Sequence, residues 1–132
     1  MENIKIKISS LVDGVPWLFY GDGTKREMEN RIILDAVEYI GEDKVLHNIE
    51  FSDDCVKITR IAQNKTYLEF NKKRRGYVSV GTEMGDFSGK IITHTFGVKK
   101  TKTATYISLA YNTDFDSENA SHKKIQISFS EI

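Results

Sequence analysis

An all-β fold, a single antiparallel up-and-down β-barrel of about eight to ten strands, is what this sequence predicts. Three observations predict it. Apolar residues recur with period two along most of the chain. The alternating runs are short and separated by turn-forming residues. No linker, internal repeat or low-complexity tract divides residues 1–132, which therefore form one domain.

The elements follow in order. Ile4, Ile6 and Ile8 alternate with Lys5 and Lys7, the pattern of a strand with one face buried. "REMENRIILDAVEYI" has some helical flavour, but its run Ile32–Leu34 is assigned to a strand. "KVLHNIEF" places Val45, His47, Ile49 and Phe51 on one side. After Asp53 and Asp54, "CVKITRIA" resumes the alternation, so the two form a hairpin. "TYLEF", "GYVSV", "DFSGKIITHTF", "TATYISLAYN" and "KKIQISF" continue the series. Between the strands, "VDGVP", "GDG", "GED", "NKKRRG", "GVKKTK" and "NTDFDSENASH" are assigned to turns and loops. Closure of the sheet removes the exposed edges that so many strands would present. About eight strands leave an interior that side chains fill or that holds one small ligand.

Size and charge bound the function. A chain of 132 residues, 39% of them hydrophobic, is long enough to bury a core. Nineteen basic and nineteen acidic residues cancel, so no global field draws the chain to nucleic acid or an anionic membrane. The lone Cys55 has no intramolecular disulfide partner, and no Cys/His spacing suggests zinc. "MENIKIKISS" lacks the apolar core of a signal peptide, and no stretch has the ~20 apolar residues of a membrane-spanning helix. A cytoplasmic location without membrane association is expected.

Apparent motifs fail when tested position by position. "GTEMGDFSGK" suggests a phosphate loop, but the glycine required before Gly89-Lys90 falls on Met84, and Ile91 stands where a hydroxyl is needed. A glycine-eased turn, with a bend of the following strand at Gly89, is expected instead. Asp114, Asp116 and Glu118 suggest a calcium loop, but Asn119 and Ile125 occupy the positions of its glycine and glutamate. Cys55 stands beside Asp53 and Asp54, whose charges raise a thiol pKa rather than activate it. His47, His94 and His122 are scattered, and no serine lies in a G-x-S-x-G elbow. No catalytic residue, metal ligand or cofactor is assigned, and the expectation is a non-enzyme. Lys72–Arg75 is the one dense basic run, read as a charged hairpin tip.

Two polar residues stand out against the alternation. His47 lies between Val45 and Ile49 on the apolar face, and Arg60 continues the phase of Val56 and Ile58. Both therefore point into the barrel. A buried arginine requires an anionic partner, for which Glu38, Glu69 or the carboxylate of a ligand are candidates.

The stretches "RIILDAVEYIGEDKVLHNIEFSDDCVKITRIA", "YLEF", "YVSVGTEMGDFSGKIITHT", "YISLAYN" and "KKIQISF" resemble the YwiB-like family of small bacterial proteins, from about residue 30 to the end. Arg60 matches that family's arginine at a strand end, Thr82 and Gly85 its Thr-x-x-Gly element, and Tyr111 its strand-terminal tyrosine. Ala62 and Met84 depart from it, standing where the family has glycine and an aromatic residue. The resemblance implies a lipocalin-like, calycin-type barrel and no established activity.

Together these readings lead to a barrel that binds a small, partly apolar ligand in its interior, as a monomer or homodimer. Arg60 and His47 are its expected polar contacts, with Trp17, Tyr39 and Tyr111 as aromatic walls. The alternative is an interaction module using the basic loop 72–75 for a protein or, less expected, a nucleic acid. An enzyme, which would need a cluster formed only in space, comes third.

Overall fold

The structure, a computed structural model, describes residues 1–115 and 123–132. These form ten antiparallel strands: β1 (Glu2–Val12), β2 (Val15–Met28), β3 (Arg31–Ile40), β4 (Asp43–Phe51), β5 (Cys55–Ile61), β6 (Lys65–Asn71), β7 (Gly76–Thr82), β8 (Gly85–Lys100), β9 (Thr105–Thr113) and β10 (Lys123–Glu131). Each strand pairs with its neighbour in sequence, and β1 pairs with β10, so the sheet closes as an up-and-down barrel. The ladder that closes it runs from Ile4 opposite Glu131 to Leu11 opposite Lys124.

Period two in the sequence becomes inside and outside in the wall. Ile4 and Ile6 of β1, Val45, Ile49 and Phe51 of β4, Ile107 and Leu109 of β9, and Ile125, Ile127 and Phe129 of β10 are buried and face inward. Their sequence neighbours, such as Lys5, Lys7 and Lys44, are exposed. Aromatic side chains pack one part of the bore, with Phe51 against Phe129 at 5.9 Å and Phe70 edge-on to Tyr111 at 4.9 Å. Residues 31–40 form β3 and no helix.

Three local expectations are corrected. Gly21–Gly23, expected as a turn, lies within β2. A Cβ on Gly23 would stand 2.6 Å from the carbonyl oxygen of Asp35, so only glycine lets the β2 and β3 backbones approach there. Gly97–Lys100, also expected in a turn, belongs to β8, and the turn is confined to residues 101–104. The irregularity of β8 falls not at Gly89 but between Thr93 and Thr95, where register with β9 shifts by one and leaves His94 as the extra residue. That bulge switches the inward phase from Ile91 and Thr93 to Phe96 and Val98. Gly89 serves a close approach: a Cβ there would lie 2.2 Å from Asp114 Oδ1, the atom that accepts from Lys90 N at 3.0 Å.

The strands lead to two ends with different character. The hairpin turns after β1, β3, β5 and β7 lie at one end. Those after β2, β4, β6 and β8 lie at the other, together with Met1 and Ile132. Near the second end, the buried Lys25 of β2 binds Glu131 of β10 and reaches Glu2 of β1 at 3.2 Å and Glu27 at 3.6 Å. Hydrogen bonding to Glu131 raises the Lys25 pKa above its ordinary value, and the same bond holds Glu131 below the usual carboxylate range.

The signs set a pH window. The lowered Glu131 pKa contributes stability above about pH 4–5 that is lost as pH falls through the folded pKa. The raised Lys25 pKa contributes stability below about pH 10 that is lost as pH rises through its folded value. Lys25→Met leaves three carboxylates facing one another. We expect it to lower the thermal midpoint at pH 7, with the deficit against wild type narrowing as pH is lowered toward about 3, measured by circular dichroism.

Candidate functional site

Toward the end that carries the turns after β1, β3, β5 and β7, the described residues surround an interior cavity of about 770 Å³. Its apolar lining comes from inward positions on many strands, including Ile8, Ile49, Ile58, Leu68, Val78 and Ile127. Arg60, Trp17, Lys123, Asp13, Thr66 and Thr113 add polar or amphipathic groups to this lining. Volumes of this order accommodate small organic ligands, and apolar walls with a few convergent polar groups are what such sites are made of.

Arg60 owes its place to register. It stands opposite His47 of β4 on one side and Thr66 of β6 on the other. Thr66 in turn faces Val80 of β7, so these side chains form one inward row around the wall. The Arg60 guanidinium lies over the Trp17 ring, 5.8 Å from its centroid, a cation–π arrangement. Lys123 is buried, with Nζ 3.4 Å from Asp13 Oδ1.

His47 is buried, and its Nε2 shares a 2.9 Å hydrogen bond with Glu38 Oε1, itself buried. The imidazole also stacks on Phe19 at 5.2 Å with 16° between the planes. This trio occupies a seam in the wall. The β2–β3 ladder extends only from Gly23 opposite Ala36 to Met28 opposite Arg31. Beyond it, Val15–Asp22 pairs with β1 alone and Val37–Ile40 with β4 alone. His47 accordingly borders both the interior cavity and an outer groove of about 890 Å³ that includes Gly23, Ala36, Val37 and Tyr39.

Four of the five residues anticipated for the interior border this cavity: Arg60, His47, Trp17 and Tyr111. Tyr39 does not. It follows the inward-facing Glu38 on β3, so alternation turns it outward, where it is 71% exposed. Arg60, expected to be buried, is exposed where the cavity meets solvent, so water can satisfy it, and neither anticipated carboxylate pairs with it. Glu38 is bound to His47, and Glu69 faces outward, accepting a 2.9 Å hydrogen bond from the Tyr67 hydroxyl. Burial, and then that bond, push the Tyr67 pKa up. Burial, followed by the charge of Glu69, raises the Cys55 thiol; the anticipated neighbours Asp53 and Asp54 are not the cause.

The sequence reading missed the His47–Glu38 pair, although Glu38 occupies an inward position next to Ala36. It also missed Lys123, an inward lysine in phase with Ile125 and Ile127. Thr82 and Gly85 do form a turn element: Thr82 Oγ1 donates to Gly85 O at 2.7 Å and accepts from Met84 N at 3.2 Å. The basic residues Lys72–Arg75 lie on the β6–β7 turn, at the end of the barrel opposite the cavity mouth. Asp116, Glu118, Asn119 and His122 lie outside the described residues.

Residues 20–127 match the family described as Domain of unknown function (DUF1934). The chain belongs to that family. Residues 20–127 of this DUF1934 chain take in most of the wall, from β2 through most of β10. The crystal structure of the ywiB protein from Bacillus subtilis is similar, with a TM-score of 0.76 at 18% sequence identity, over 99% of this chain and 92% of that one. At that identity the likeness concerns the fold. No curated protein matches this DUF1934 chain.

Removing one partner of the buried pair leaves the other without its hydrogen bond in an apolar wall. His47→Leu is expected to cost about 3 kcal/mol. The double variant His47→Leu/Glu38→Leu should lose less than the sum of the two single changes, with a coupling of about 1–3 kcal/mol. Urea unfolding of the four proteins measures the cycle.

Proposed function

We propose that this protein is a non-catalytic, lipocalin-like binding barrel that holds one small, partly apolar molecule in its interior cavity. The observation that carries this reading is the division of the bore. One part is packed by Phe51, Phe70 and Phe129, while another lined by Ile49, Ile58, Leu68 and Ile127 surrounds about 770 Å³ toward one end. Arg60 and His47 provide the polar contacts, and Trp17 and Tyr111 the aromatic ones. Charged side chains such as Lys5, Lys7 and Asp22 on the outer face suit an aqueous compartment, for which we propose the cytoplasm. A raised Cys55 pKa keeps that thiol protonated and a poor nucleophile, in keeping with a binding role.

The reading in which the basic loop 72–75 engages a partner is separable from this one, because that loop and the cavity mouth occupy opposite ends of the barrel. The neutral fluorescent probe N-phenyl-1-naphthylamine tests the cavity. It should bind with one-to-one stoichiometry and increased emission. Ile58→Trp, which fills the bore, should weaken it at least about tenfold while the protein remains folded by circular dichroism. Charge reversal at Lys72–Arg75 should leave the titration unchanged. Absence of probe binding to wild type, or full binding by the filled variant, would sink the reading.

A further inference from the structure

We infer that the cavity selects amphiphiles with a carboxylate head, and that Arg60 is the residue that reads the head. This rests on the cavity-binding reading above and adds the chemical class of the ligand.

Among the described residues, three charged groups border the cavity: Asp13, Lys123 and Arg60. Lys123 and Asp13 face each other at 3.4 Å. Glu38, also inward-facing but not among the residues bordering the cavity, is bound to His47. Among the described residues, Arg60 has no oppositely charged partner. Arg60 is exposed, so its guanidinium stands at the border between the cavity and solvent.

Trp17 holds the guanidinium through the face of its ring. The planar guanidinium carries five N–H donors in a fork whose geometry matches the two oxygens of a carboxylate. The flanking side chains, Thr66 with its hydroxyl and His47 with its imidazole, sit on either side in the same inward row. The row therefore offers an oxyanion the Arg60 guanidinium and the Thr66 hydroxyl, while the His47 Nε2 is taken by Glu38.

Ile49, Ile58, Leu68, Val78 and Ile127 are all aliphatic and all border the same space. They take a hydrocarbon body and have no partners for further polar groups. A fully polar anion would leave this wall unused, and a neutral apolar molecule would leave Arg60 unused. A carboxylate joined to an aliphatic body uses both.

Displacement of bound N-phenyl-1-naphthylamine by dodecanoate and by 1-dodecanol, each below its aggregation concentration, tests the inference. The two competitors share a chain and differ in the head. Dodecanoate should compete at least about tenfold better, a difference of about 1.4 kcal/mol. Arg60→Gln should remove about 10–100-fold from dodecanoate and leave 1-dodecanol nearly unchanged, and Arg60→Lys should restore part of the preference. Equal competition by the two in wild type, or an equal loss of both in Arg60→Gln, overturns the carboxylate assignment while leaving the cavity reading intact. If the probe and both competitors fail to bind, the cavity reading falls and this inference with it.

Discussion

Everything in this molecule depends on ring closure by the β1–β10 ladder. A ten-stranded sheet left open would expose two strand edges and could not enclose a bore. Pairing Ile4 with Glu131 through Leu11 with Lys124 ties the two terminal strands together over eight register pairs. Ile6 and Ile127 become interior residues through that closure, and the inward faces of all ten strands converge on one axis. The buried Lys25, bound to carboxylates of β1, β2 and β10, spans the same join from β2.

Within the closed ring, function follows from incomplete filling. Aromatic residues are large enough to meet across the bore, as Phe51 and Phe129 do. Aliphatic residues on the remaining inward positions are too short to meet, and space is left between them. Polar residues border that space: Arg60, Thr66, Lys123 and Thr113 are exposed, half-buried or paired rather than isolated in the core. The wall thus holds its apolar interior and its polar recognition groups on the same strands, separated only by position along each strand.

The all-β fold was legible because one property, alternation, governs a wall with water outside and hydrocarbon inside. His47 and Arg60 could be placed inward by counting from Val45 and Val56. What escaped the sequence reading depends on contacts between strands. Gly21-Asp22-Gly23 resembles a turn, and only the approach of Asp35 O to Gly23 explains glycine within a long strand. The bulge at His94 inverts the phase of β8, which no local pattern around Thr93 and Thr95 signals. Tyr39 was assigned to the interior for its chemistry, although its own alternation with Glu38 places it outside. The partner of Glu38 is a residue of the next strand, and register alone brings the two together.

The seam between β2 and β3 gives the ring a mechanical character that a fully laddered barrel lacks. Widening a continuous ring stretches every interstrand hydrogen bond around it. A ring interrupted along part of its height, as between Val15–Asp22 and Val37–Ile40, behaves as a split collar. Over that height the wall is held by side chains, Phe19 stacked on His47 and His47 bonded to Glu38, in place of a backbone ladder. The far end is laced from Gly23–Met28 to Arg31–Ala36. Side-chain packing in place of a ladder thus coincides with the height of the wall where His47 borders the cavity.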